Sequence, residues 1–194
     1  MISLVTKIQG GAQASRKLSA WRTKLPKAAD RAAKQQAQRL RTLIVQGIRS
    51  GGPGDEEFEP LADSTVDMKG SSKPLIDNGD MIRSIGVEEL ETDAWFVGVN
   101  RQAETEEGMP LENLAEIHEF GTDPYEIQVT QKMRGFFAHM AKKGIFDNML
   151  SPSTMVIQHP GIPARPFLEP AFEEWAEDAE EQFEASVKRQ LGIR

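Results

Sequence analysis

The sequence predicts an α+β fold, in which a small, mostly antiparallel sheet is flanked by a long N-terminal helix and a long C-terminal helix. Two observations carry the prediction. Apolar residues recur at three- and four-residue steps near each end of the 194-residue chain. Between them they alternate in short runs broken by Gly, Pro, Asn and Asp. The length suits one domain with helical extensions. We divide it into a basic helical segment at 1–50, a mixed α/β core at 51–168 and an acidic helix at 169–194, all within a single domain.

The first helix is read from Leu18, Trp21, Leu25, Ala29, Ala32, Leu40, Leu43, Ile44 and Ile48, which share one stripe. Pro26 is expected near its start or at a kink, because an interior proline loses a hydrogen bond. From there to Ser50 the helix would run about 35 Å. The run "SGGPGDEE" ends it and is expected to be mobile. "FEPLADSTVDMKG" reads as a loop and a short helix, with Ser64 or Thr65 able to cap it. A turn follows at 77–80, with Gly79 at positive φ, then a helical turn and two strands near 84–91 and 94–99.

"LENLAEIHEFG" reads as a short helix closed by Gly121. "YEIQVT" and "STMVIQH" read as strands on either side of a helix whose apolar side holds Met133, Phe136, Phe137 and Met140. The last helix, about 169–192, carries the stripe Phe172, Trp175, Ala179, Phe183, Val187 and Leu191. Its acids come early and its bases late, which complements the helix dipole.

A net charge of −7 hides an asymmetry. Residues 1–50 hold eleven Lys or Arg against the single acid Asp30, which leaves 12 basic and 29 acidic residues in the other 144. The basic helix therefore has three candidate partners: the acidic C-terminal helix within or between subunits, a separate protein, or nucleic acid. No zinc, helix-turn-helix or aromatic-interleaved basic pattern accompanies the charge. No apolar run approaches the roughly 20 residues of a membrane span, so no membrane partner is expected. The first 17 residues lack the apolar core and cleavage site of a secretory signal.

Chemistry finds little to stand on. The chain has no cysteine, so disulfides, thiolate metal sites and a cysteine nucleophile are excluded. "IHEFGT" begins like a zinc-protease helix, but the second histidine would fall at 122, which is Thr. "DNGD" lacks the ligand spacing of a calcium loop, and "SGGPGDEE" lacks the Lys and Ser/Thr of a phosphate loop. No catalytic residue, metal ligand or cofactor is expected, and the chain is read as a non-enzyme.

Three segments, "KPLIDNGDMIRSI", "AEIHEFGT" and "IPARPFLEPAFEE", come in order after "FEPLADSTVDMKG". Together they resemble the virion-morphogenesis and tail-completion proteins of long-tailed bacteriophages, especially those of Mu-like phages, over about residues 58–175. The resemblance implies a structural virion protein of the neck or head-proximal tail, assembled in the host cytoplasm as a ring, expected to be six-fold. Its job would be to complete the tail and join it to the head. Its partners would be neighbouring neck, head-closure, tail-terminator or tail-tube proteins, with electrostatic contact to DNA a further option. A tail terminator capping the tube and a nucleic-acid-binding module built on the basic helix are the alternatives.

Carried onto this chain, Leu75, Gly79, Met81 and Ile85 would shape the turn and strand entry, and His118, Phe120, Gly121 and Thr122 the helix end. Ile162, Pro163, Ala164, Arg165, Pro166, Phe167 and Leu168 would form a proline-braced segment. That segment has two candidate roles: docking on a neighbouring subunit, with Phe167 and Leu168 as anchors and Arg165 against a carboxylate, or closing its own core while Pro170 starts the last helix.

Overall fold

The computed structural model describes residues 10–54, 57–91, 94–106, 108–142 and 156–193. A 40-residue helix, α1 (Gly11–Ser50), is the spine of the molecule. Its C-terminal half buries Ala28, Ala32, Ala37, Ile44, Val45 and Ile48, whereas Gly11–Lys27 is exposed apart from half-buried Trp21. Pro26 lies inside α1 rather than at its start, and helix continues on both sides. The missing N–H costs one bond, to the Arg22 carbonyl, and the exposed flank leaves that carbonyl to water.

α1 ends in a tight turn. The Gly51 and Gly52 amides both donate to the Gly47 carbonyl, at 3.2 and 2.9 Å. A Cβ at Gly47 would stand 2.6 Å from Pro53 Cβ, so only glycine lets Pro53 tuck under the helix. Gly52 and Pro53 are buried and Phe58 N donates to Gly51 O, so this part of the loop is pinned, contrary to the mobile loop expected. Residues 55–56 of that run lie outside the described residues.

Helix α2 (Asp63–Lys69) starts after Ala62, whose carbonyl takes the Thr65 and Val66 amides. Thr65 therefore sits inside the first turn with its own amide already bonded to the Ala62 carbonyl, and Ala62 at the N-cap offers no side-chain cap; the Ser64 side chain lies outside the described residues. The short helix α3 (Asp80–Ser84) runs directly into β1 (Ile85–Glu91), which pairs antiparallel with β2 (Ala94–Val99) from Ile85↔Val99 to Glu91↔Ala94, with an irregularity between Glu89 and Glu91.

Helix α4 (Leu111–Phe120) follows. Then come β3 (Tyr125–Gln128), α5 (Gln131–Lys142) and β4 (Val156–His159). The rest of the "STMVIQH" strand, 153–155, and the Met140 side chain lie outside the described residues.

The fold class is α+β. Its strands form two separate two-stranded sheets, β1–β2 and β3–β4, instead of one. Among the described residues, four each in β3 and β4 pair with each other and with no other strand, so with the intervening α5 they make an arm. The C-terminal helix is likewise divided, into α6 (Glu169–Ala176) and α7 (Ala179–Leu191). At the break Asp178 adopts φ −130°, and its carboxylate meets Arg39 of α1 instead of capping α7.

The core joins the buried half of α1 to the β1–β2 hairpin, α4 and α6. It holds Ile44, Ile48, Phe58, Met81, Ile85, Val99, Leu111, Phe167 and Ala171. The Arg41 side chain ties α1 to β1 through the Ile85 carbonyl at 2.8 Å. α7 lies along α1 as the charge pattern suggested, yet the seam is made of small and polar groups. Ser186 is buried and donates to Gln35 at 2.5 Å, and the Gln190 amide donates to the Ala28 carbonyl at 3.4 Å. Among the described residues Arg39–Asp178 is the ion pair joining α1 to the C-terminal helices, and Glu173, Glu174, Glu177, Glu180, Glu181 and Glu184 are exposed. Broad neutralisation of the basic helix by the acidic one within the chain does not occur.

Candidate functional site

The three motif segments meet in one place. Leu75, Met81 and Ile85 from the first are buried in the core, beside Phe167 from the third. Leu75 is held at φ 58°, a left-handed conformation that a non-glycine residue keeps only when its surroundings fix it. Gly79 takes φ 88° and precedes α3, and its carbonyl accepts the Arg83 amide. The Arg83 side chain reaches back to Asn78 O and Asp80.

The segment 162–169 is clasped to the end of α4 of its own chain. The Thr122 amide donates to Ile162 O at 2.9 Å and the Ile162 amide to Thr122 Oγ1 at 2.9 Å. The Arg165 amide donates to His118 O at 2.6 Å. Gly121, at φ 72°, permits this approach, since a Cβ there would stand 2.6 Å from Ile162 O and 2.8 Å from Ala164 N. Docking of this segment on a neighbour through Phe167 is therefore corrected. Phe167 is wholly buried in its own subunit and Leu168 packs against the same core. Pro163 and Ala164 are exposed and Pro166 is half-buried, so the prolines stiffen the outer side of the clasp.

Arg165 does not pair with a carboxylate as expected. It is 4% exposed and donates from Nε to Glu59 O at 2.7 Å and from Nη2 to Pro60 O at 2.9 Å. Its fixed fork matches two successive carbonyls of a segment outside any helix or strand. Burial lowers its pKa. His118 Nδ1 is buried without a hydrogen-bond partner. Burial, followed by the positive charges of Arg165 and Lys69, lowers His118 from 6.5 to about 4 and keeps it neutral near pH 7.

Glu119 escaped sequence reasoning and is the keystone. Its carboxylate accepts the backbone amides of Phe167 (2.8 Å), Leu168 (3.0 Å) and Glu169 (2.9 Å), at the start of α6. An anion satisfying three open donors at a helix N-terminus is a strong local arrangement. The signal was present: Leu111, Ala115 and Glu119 fall at i, i+4 and i+8, so one stripe of α4 carries an acid inward. Phe120 lies one step off that stripe. It does not brace the helix end; it is 74% exposed.

Phe120 borders an apolar groove that the sequence did not disclose. Two adjoining hollows of about 650 and 670 Å³ share Leu40, Val97 and Phe172, and run between β2, α1, α4, α6 and α7. Phe172 is 53% exposed on its wall. Glu116 and Glu169 stand on the rim at one end and Glu180 at the other, while the rim's Glu112 is paired with the neighbouring Arg101 at 3.7 Å. Glu119 also borders it but is occupied by the three amides. Among the described residues no group of three His, Asp or Glu side chains gathers where a metal ion could be held. Nor is any helix among them long and apolar enough to cross a membrane.

A second surface is the free half of α1. Gly11–Lys27 presents Arg16, Lys17, Arg22, Lys24 and Lys27 with no acid among them, and leaves Leu18 and Leu25 exposed. No family model, no curated protein and no solved structure matches the chain.

Proposed function

We propose that this chain is a structural subunit of a phage neck or head-proximal tail, which assembles as a ring, completes the tail and joins it to the filled head. One observation carries the reading. Of the segments that resemble tail-completion proteins, "AEIHEFGT" and "IPARPFLEP" are bonded to each other and "KPLIDNGDMIRSI" packs into the same core, so their co-occurrence has a physical reason. The surfaces suit assembly as well: an apolar groove with an acidic rim, an arm standing on its own sheet, and a bare basic helix half. The tested object is a phage lysate with a stop codon in this gene, viewed by electron microscopy. DNA-filled heads lying apart from tails of normal length are the expected result. Tails of uncontrolled length would make the chain a tail terminator. Intact infectious particles would remove both readings.

A nucleic-acid-binding role rests on one specific observation, the five cations of Gly11–Lys27 without a compensating acid. In that reading the purified protein binds DNA with an affinity that falls steeply as salt rises, because each phosphate contact releases counterions. Binding that is absent at low salt leaves the helix half as a protein-contact element.

A further inference from the structure

The arm carries the half of an interface that the groove lacks. In α5 Met133 is half-buried and Phe136 is 47% exposed, with Phe136 set edge-to-face against Phe137 at 5.6 Å. The sequence of α5 holds Lys132, Arg134 and Lys142 and no acid. It is therefore a basic amphipathic helix of about 18 Å. It has no extensive packing against α1, α4, α6 or α7, and among the described residues none from the arm lines the groove. The base of the arm is firm, with Tyr125 stacked on His159 at 4.6 Å and the Gln158 side chain bonded to Glu126 at 2.6 Å.

The groove is the converse of that helix: apolar inside, acidic at the edges. Its walls also bury Trp95 Nε1 and Trp175 Nε1 without hydrogen-bond partners. We infer that α5 of one subunit docks in the Leu40–Val97–Phe172 groove of the next copy of the same chain, Phe136 entering beside Phe172 and the α5 cations facing Glu116, Glu169 and Glu180. The occupant is a second copy because the chain carries both complementary surfaces at separate places. Such a head-to-tail contact is heterologous, and repeated it closes into a ring when the rotation allows. The inference rests on the ring reading and names the surface that joins its subunits.

The absence of cysteine makes the test clean. Phe136→Cys and Phe172→Cys are placed in separate preparations of the full chain, mixed, and oxidised mildly, with the assembly mass followed by light scattering. A mixed disulfide exceeding both self-linked products several-fold, within an oligomer, is the expected result. An oligomer without the mixed link overturns the docking and leaves the ring reading standing. A monomer at every concentration, with no link, overturns both. A chain carrying both cysteines that links within itself at high dilution also overturns the docking, because the arm then folds onto its own groove. Phe136→Asp gives an independent readout: the oligomer mass falls while the circular dichroism is unchanged, and an unchanged mass counts against the docking.

Discussion

The two halves of α1 have the same helical periodicity and opposite surroundings. From Ala28 onward the stripe is covered by the β1–β2 hairpin, α6 and α7, and Ile44 and Ile48 are almost fully buried. Before it the same stripe continues through Leu18, Trp21 and Leu25, and Leu18 is 61% exposed. Periodicity specifies which side chains would share a face; it does not supply the surface that covers them. Among the described residues the Gly11–Lys27 half keeps an apolar edge and five cations without cover, whereas the other half is structural.

Substitutions on the two halves should separate sharply. Ile48→Ala should have the largest effect, about 2–5 kcal/mol in chemical denaturation, through lost burial and a residual cavity. An effect below that range would mean that the covered half is less tightly packed than its burial implies. Acid should also divide the halves. The body holds His118 with a lowered pKa, so unfolding takes up a proton, and stability is full above 6.5 and drains away toward pH 4. That contribution is on the order of 3 kcal/mol, and His118→Gln should flatten this part of the profile between about pH 6.5 and pH 4. The segment 11–27 contains no His, Asp or Glu and should contribute nothing there.

Gly47→Ala should cost about 1–3 kcal/mol by driving Pro53 off the helix. Arg39→Ala, measured by the same denaturation, should cost no more than about 1 kcal/mol, because the pair with Asp178 is over a third exposed on the carboxylate side. Leu18→Ala should stay within about 0.5 kcal/mol in the isolated protein and show its effect only on assembly or nucleic-acid binding. A Leu18→Ala variant as unstable as Ile48→Ala would erase the contrast between the halves.

The site was legible in part. Gly79 and Gly121 announced turns, and the prolines at 163, 166 and 170 announced a stiff approach to a helix, because local backbone geometry restricts those residues directly. The direction of Phe167 into its own core and of Phe120 into solvent was not legible, since it depends on where 162–169 crosses α4. Glu119 could have been found from the α4 stripe, but its three partners lie 48 to 50 residues away.

By itself the sequence determined the α+β class, the long first helix, the extents of β1 and β2, and the glycine at the end of α4. Each of these depends on periodicity or on a residue's own φ/ψ limits, which act over a few neighbours. Tertiary structure decided that the strands divide into two sheets, that the last helix breaks at Asp178 where Arg39 claims its carboxylate, and that half of α1 stays bare. It also decided that Arg165 and Glu119 hold backbone groups rather than each other's kind of charge. These outcomes turn on partners distant in the chain, and the energy of burying or pairing a group exists only once the fold has brought its partner beside it.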